Sequence, residues 1–182
     1  MPTDDEPEEP SDKEQAAMAD MATYLGAGSG YAKIQGTRPQ TLSYGLTDSP
    51  AGQAAWITEK FREWTDCDGD LETAVGRDEL LATITLYWVT ATAGSSARLY
   101  YESQHADSFG LGPRVEVPTG CAIYPREIMR PPRRWAEQLY NVTQYTELER
   151  GGHFPTLEVP EVFVDDVRSF FAESGPSGAR MD

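Results

Sequence analysis

The last third of the sequence alternates between segments typical of β-strands and segments typical of α-helices. Residues 114–124 and 141–148 are predicted to form strands, the first with a kink at Pro118, while 133–140 and a segment beginning near Pro160 favour helices. Such alternation is typical of α/β proteins, in which helices cover a parallel sheet. Two strands are too few for a free-standing sheet of this type, so the chain is expected to form one flank of a larger domain.

The preceding segment, residues 21–112, is predicted to be mainly helical. Ser49 is a good N-cap and Pro50 is favoured at the first helical position. A second helix is predicted from Asp78, and a third, shorter one over residues 97–103. Apolar residues follow the Ser49 cap at helical spacing: Ala54, Ile57, Phe61 and Trp64. The fold class is therefore α/β, with a helical segment ahead of an incomplete parallel sheet over residues 113–174.

Both ends of the chain differ in composition from its centre. Residues 1–20 hold eight acidic residues, three prolines and one lysine, so they are predicted to form an acidic disordered arm or linker. Residues 175–182 are predicted to be a flexible tail. The N-terminus lacks the basic and apolar parts of a secretory signal, and no run of 18 or more apolar residues could span a membrane.

The charge and the cysteines narrow the range of partners. A net charge of −15 repels phosphate backbones, so a nucleic-acid partner is not expected. Cys67, Cys121, His105 and His153 form no closely spaced set of ligands, so neither a metal site nor a cofactor is expected. Two separate thiols without a secretory signal fit a reducing compartment, which predicts a cytoplasmic location.

Glu127 and His153 are the candidate catalytic residues in the strand-containing part. Each follows a predicted strand, and 26 residues separate them (153 − 127), which leaves room for one helix and one strand. On an α/β-hydrolase sheet the acid and then the histidine follow late strands, in that order. The residues also fit a second interpretation, as a solvated surface acid and an ordinary loop histidine. His105, in a polar loop, is interpreted in that second way.

Four segments in register carry a resemblance to a known family. They are SGYAKIQGTRPQTLSYGLTDSPAGQAAWITEKFREWTD (29–66), LYWVTATAGSSARLYYE (86–102), VPTGCAIYPREI (117–128) and RGGHF (150–154). Together they resemble the microsomal-type epoxide hydrolases, a family that includes insect juvenile-hormone epoxide hydrolases. The resemblance runs from about Glu14 to Ala172 and implies the C-terminal part of an α/β-hydrolase, with residues 21–112 as a helical lid.

The resemblance also implies a reaction, in which water is added to a small-molecule epoxide to give a vicinal diol without cofactor or metal. In this family an Asp opens the epoxide and forms an ester, and a His–Glu pair activates the water that cleaves it. By position, Glu127 and His153 match that pair. Tyr31 and Tyr100 match two lid tyrosines that donate hydrogen bonds to the epoxide oxygen. For both tyrosines ordinary aromatic packing is the alternative, and Tyr87 is interpreted in that way.

The sequence departs from the family pattern at the nucleophile. Neither G-x-D-x-G nor G-x-S-x-G occurs anywhere in the chain, so the nucleophile-bearing N-terminal half is expected to be absent and the isolated chain to be inactive. A non-catalytic remnant or split-gene piece, which could associate with a matching N-terminal fragment, is the alternative. Another α/β-hydrolase, such as a haloalkane dehalogenase, is a further alternative, against which the paired lid tyrosines argue. The sequence does not indicate an oligomeric state.

Overall fold

The helical region comes first along the chain. The computed structural model describes residues 9–106 and 113–174. A short π-helical turn (Tyr24–Gly28) and a 3-10 turn (Leu71–Thr73) lie between the helices of this region. Its α-helices are α1 (Asp12–Thr23), α2 (Gly30–Thr37), α3 (Pro39–Asp48), α4 (Pro50–Trp64), α5 (Arg77–Thr90) and α6 (Ala93–His105).

The strand-containing region follows, with two parallel strands that are direct neighbours. The register in which the two strands pair shifts between Val115 and Pro118, which agrees with the predicted kink at Pro118. The last helix (Pro160–Ser174) packs on the first strand (Val115–Ile123) so closely that a Cβ on Gly120 would lie 2.8 Å from the Phe170 ring. The elements are β1 (Val115–Ile123), α7 (Arg133–Leu139), β2 (Tyr140–Glu147), α8 (Pro155–Glu158) and α9 (Pro160–Ser174). The predicted order of strand, helix, strand and helix is confirmed.

Local capping chemistry explains where the helix α4 begins. The Ser49 side chain accepts a hydrogen bond from the Gly52 amide at 3.0 Å, and Pro50 occupies the first turn. The predicted start of this helix is therefore confirmed. The helix predicted from Asp78 begins one residue earlier, and the short helix predicted over 97–103 lies inside the longer α6.

The structure corrects the expectation of a disordered arm for residues 12–20, which belong to α1. This helix begins with a reciprocal capping box between Ser11 and Glu14. It is then held by long-range contacts, because Trp135 Nε1 donates to Glu14 at 2.9 Å and Arg130 pairs with Asp20 at 2.7 Å. Residues 1–8, the predicted tail 175–182 and residues 107–112 of the predicted loop lie outside the described part, so the boundary at residue 112 stays a prediction.

An apolar core joins the two regions. Phe61 of α4 packs with Val75 and with residues of α5, and Phe154 and Leu157 from the strand-containing region pack against this cluster. The rings of Phe61 and Phe154 are parallel, with their centroids 4.1 Å apart. Because Phe154 directly follows His153, this stacking holds the histidine loop against the helical region.

Several apolar side chains remain exposed on the outer helices. Leu86 and Val89 of α5, Leu99 of α6 and Phe171 of α9 expose between 61% and 70% of their surface. Among the residues that the structure describes, no helix combines the length and the apolar composition needed to cross a membrane.

Candidate active site

Glu127 and His153 meet at one edge of the two-stranded sheet. Glu127 follows β1 and His153 follows β2, and the two strands are parallel neighbours. Their carboxyl ends therefore open onto the same edge. The Nδ1 atom of His153 donates to Oε1 of Glu127 over 2.8 Å. The structure thus brings together the two residues that the spacing singled out.

This hydrogen bond shifts the pKa values of both partners. Burial acts to raise the pKa of Glu127, but hydrogen bonds from His153 and from the Ile128 amide outweigh burial, so the pKa is lowered. The hydrogen bond to Glu127 raises the pKa of His153 against the opposing effect of burial, and the charge of Glu158 adds to the rise. With Nδ1 bonded to Glu127, Nε2 is the ring nitrogen that can take a proton from water.

Two glycines allow the histidine loop to reach the helical region. Gly151 has a φ of 102°, which residues with a side chain rarely adopt. A Cβ on Gly152 would lie only 2.3 Å from the Trp64 carbonyl oxygen at the end of α4. That same oxygen accepts the His153 amide at 2.8 Å. The two glycines therefore allow the backbone of the loop to contact the end of α4.

A row of aromatic rings leads from His153 into the helical region. The Trp64 ring lies 5.1 Å from the His153 ring, and the Tyr31 ring lies 5.2 Å from Trp64. Tyr31 on α2 then meets Tyr100 on α6 edge to face, with ring centroids 5.8 Å apart. The two tyrosines are therefore neighbours although 69 residues (100 − 31) separate them in the chain.

A cavity of about 440 Å³ lies against this row of rings. His153, Tyr31 and Tyr100 all line it, which places every residue of the sequence-based site except Glu127 on one cavity wall. The volume suits a small organic molecule. Glu127 is hydrogen-bonded to the histidine without lining the cavity, as expected for a group that orients the imidazole.

The sequence reasoning missed several residues around this cavity. The hydroxyl of Tyr24 lies 3.0 Å from that of Tyr31, and burial together with this hydrogen bond raises the pKa of Tyr31, so its phenol stays protonated. The Lys60 ammonium lies 5.0 Å from the centre of the Tyr31 ring. Gln53 is 2% exposed, and its carbonyl oxygen is buried without a hydrogen-bond partner among the described residues. The helical spacing of Gln53, Trp56 and Lys60 on α4 was the available signal, since all three line the cavity.

The remaining histidine, tyrosine and cysteine residues discussed above occupy different surroundings. His105 is exposed at the end of α6, where its Nδ1 contacts the Tyr101 carbonyl at 2.8 Å, so it takes no part in the cavity. Tyr87, interpreted as packing, lines the cavity. Cys67 and Cys121 are unpaired, and the described residues contain no group of three or more His, Cys, Asp or Glu that could hold a metal ion.

The chain is similar in sequence to known proteins. No protein-family model matches the chain. A putative epoxide hydrolase of Stigmatella aurantiaca is 49% identical over 164 residues, which is 90% of this chain and 37% of that protein. Epoxide hydrolase 1 of Sus scrofa is 41% identical over 157 residues, covering 78% of this chain and 34% of that protein. The chain thus spans about a third of the length of the curated relatives that it matches.

Solved structures agree with the sequence comparison. The juvenile hormone epoxide hydrolase from Bombyx mori matches with a TM-score of 0.77 and 34% identity, over 86% of this chain and 39% of that one. An epoxide hydrolase from Aspergillus niger matches with a TM-score of 0.76 and 27% identity, over 96% and 43%. The fold is that of part of an α/β-hydrolase. Within that class, the chain belongs to the epoxide hydrolase family.

Proposed function

We propose that this chain supplies the water-activating pair and the oxygen-binding tyrosines of an enzyme that converts a small-molecule epoxide into a vicinal diol. One observation carries the proposal. The Glu127–His153 hydrogen bond of 2.8 Å fixes an imidazole in the wall of a cavity that Tyr31 and Tyr100 also line. A base for water and donors for a developing alkoxide then share one cavity.

The proposed reaction has two steps. In the first, an Asp carboxylate supplied from outside this chain attacks an epoxide carbon, the carbon–oxygen bond breaks, and the ring oxygen gains a proton from Tyr31 or Tyr100. In the second, Nε2 of His153 takes a proton from water, and the hydroxide attacks the ester carbonyl. The ester carbon–oxygen bond breaks, and the diol oxygen leaves with the proton that the hydroxide brought, which regenerates the carboxylate. The imidazolium then returns its proton, through solvent, to the tyrosinate left by the first step. Glu127 stabilises the imidazolium that forms in the second step.

The remaining parts of the proposal follow from this scheme. The helical region acts as a lid over the reacting carbon, and the scheme requires neither a cofactor nor a metal. The isolated chain is expected to be inactive, with a matching N-terminal fragment as its partner, because no residue here is assigned to the attack on carbon. A cytoplasmic location, supported by the two unpaired thiols, remains a prediction.

A chimera tests the proposed function. This chain replaces the matching segment of the Stigmatella aurantiaca relative, with which it shares 49% identity. The chimera should hydrolyse styrene oxide, whereas His153→Gln should lower turnover by roughly 10²–10⁴-fold and leave a covalent adduct visible by intact-protein mass spectrometry. His105→Gln, a change of the exposed histidine, is the matched control and should behave as the parent. A His153→Gln chimera that turns over normally, or that is slow without any adduct, would contradict the assigned role.

A non-catalytic remnant is the second candidate function. The absence of both nucleophile motifs, G-x-D-x-G and G-x-S-x-G, favours it. The same chimera separates the two, because a remnant that has drifted from the active geometry would fold in the chimera without restoring hydrolysis.

A further inference from the structure

Glu158 connects the histidine loop to the end of α4. One of its carboxylate oxygens accepts the Phe154 amide at 2.8 Å, directly after His153. The other accepts the Asp66 amide at 2.7 Å, two residues beyond the end of α4. The two oxygens of a single carboxylate thus accept hydrogen bonds from two different segments, one on each side of the contact between the regions.

Asp66 makes the reciprocal connection from the helical region. Its Oδ2 atom accepts the Gly151 amide at 3.0 Å in the histidine loop. Its Oδ1 atom accepts from the Arg126 guanidinium at 3.4 Å, which lies next to Glu127 in the acid loop. The Arg126 amide in turn donates to the Gly151 carbonyl at 3.1 Å. Asp66 therefore contacts the loops of both members of the His–Glu pair.

We propose that Asp66 and Glu158 are positioning residues, a carboxylate clasp that aligns the loops of Glu127 and His153 by tying both to the end of α4. The inference deepens the proposed function and rests on it. Hydrogen bonds from amides to carboxylates are stronger than those between neutral groups. Loss of the Asp66 carboxylate weakens the bond from the Gly151 amide, and loss of the Glu158 carboxylate weakens the bond from the Phe154 amide, so in either case the loop shifts and the hydrogen bond to Glu127 lengthens.

The two halves of the clasp act on His153 in different ways. Glu127 and Glu158 are the charged groups that shift the pKa of His153. Removing the Glu158 charge therefore changes that pKa both directly and through the loop. Asp66 bonds the Gly151 amide and the Arg126 side chain and is not among the charged groups that shift the pKa of His153, so a change of that pKa in Asp66→Asn reports mainly the positioning of the loops.

Nuclear magnetic resonance of the 182-residue chain tests the clasp. The chain contains only His105 and His153, so ¹³C-labelled histidine gives two ring signals, which His105→Gln assigns. Asp66→Asn should lower the pKa of His153 towards its ordinary value. The shifted loop should also weaken the hydrogen bond from the His153 amide to the Trp64 carbonyl oxygen, so that this amide exchanges roughly tenfold faster, the scale of one lost hydrogen bond. Glu161→Gln is the control, since it removes an exposed carboxylate three residues from Glu158 and should change neither quantity.

The other possible results distinguish a failure of the carboxylate clasp from a failure of the His–Glu pair. An unchanged His153 pKa and amide exchange in both Asp66→Asn and Glu158→Gln would overturn the clasp while leaving the His–Glu pair in place. An unchanged His153 pKa in Glu127→Gln would instead remove the pair, and with it the proposed function. If amides of α9 exchange faster together with that of His153, the carboxylates serve folding as a whole, which also contradicts a positioning role.

Discussion

The two halves of the candidate site are held in contrasting ways. His153 has its Nδ1 bonded to Glu127, its amide bonded to Trp64 and its neighbouring ring stacked on Phe61. Tyr31 and Tyr100 meet edge to face, and the Tyr31 hydroxyl is paired with that of Tyr24. The half proposed to activate water is therefore fixed by backbone and core contacts, while the half proposed to bind the epoxide oxygen depends on hydroxyl groups that can exchange partners.

This difference matches the demands of the two proposed steps. Water activation needs a base whose orientation is set before the ester forms, because the ester carbonyl is then fixed as well. The tyrosine hydroxyls must instead meet a ring oxygen that moves as the epoxide opens. A hydroxyl pair such as Tyr24–Tyr31 can release one hydrogen bond and form another at small cost.

The largest effect on ester formation is expected from the tyrosines. In the chimera, Tyr31→Phe and Tyr100→Phe should each slow ester formation by about 10²-fold, the scale of losing one oxyanion donor, and the double change should nearly abolish it. Ester hydrolysis should be affected less, because it uses the other half of the site. Stopped-flow measurement of alkylation provides the test. Phenylalanine variants that alkylate at the parental rate would return both residues to the packing interpretation.

Two glycines provide a matched comparison of rigidity, since Gly152 precedes His153 and Gly30 precedes Tyr31. Gly152→Ala should destabilise the chain by about 1–3 kcal/mol, because the new Cβ would meet the Trp64 carbonyl oxygen. Gly30→Ala meets no atom within 4 Å and should be neutral or stabilising by up to about 1 kcal/mol. Urea unfolding of both variants checks the prediction, and equal effects would remove the contrast between the halves.

The pH dependence of stability gives the smallest and most specific effect. Stabilisation from the lowered pKa of Glu127 is present above pH 4.5 and is lost as the pH falls through the lowered value. Stabilisation from the raised pKa of His153 is present below pH 6.5 and is lost as the pH rises through the raised value. The difference in unfolding midpoint between the parent and Glu127→Gln should therefore be largest between pH 4.5 and 6.5. A difference that does not vary with pH would exclude a charged pair.

The proximity of Glu127 and His153 could be predicted from the sequence because it follows from the order of strands and helices along the chain. Parallel neighbouring strands end at one edge, so the positions of Glu127 and His153 after two such strands indicated that they could meet, and the family resemblance favoured this over the interpretation as surface residues. The pairing of Tyr31 with Tyr100 came only from the family resemblance, since no local rule relates α2 to α6. Their catalytic roles stay predictions.

The clasp and α1 were missed for a different physical reason. Asp66 and Glu158 exchange hydrogen bonds with backbone amides 85 and 92 residues away, and acidic residues in loops are usually solvated. The helix α1 depends on contacts to Trp135 and Arg130, which its acidic composition conceals. One local signal was present, because Ser11 and Glu14 have the spacing of a capping box.

The contact between Gly152 and the Trp64 carbonyl also limits which segments can be recombined between related proteins. A recombination event that replaces the helical region alone would bring a foreign helix end against a native histidine loop, with no room for even one methyl group of difference. Residues 60–68 and 150–158 are in contact although they lie far apart in the sequence, so we expect that they must be exchanged together. Libraries of hybrid lids should retain both segments from one parent. A single crossover inside α5 or α6 would separate them, so crossovers between residues 68 and 150 should come in pairs.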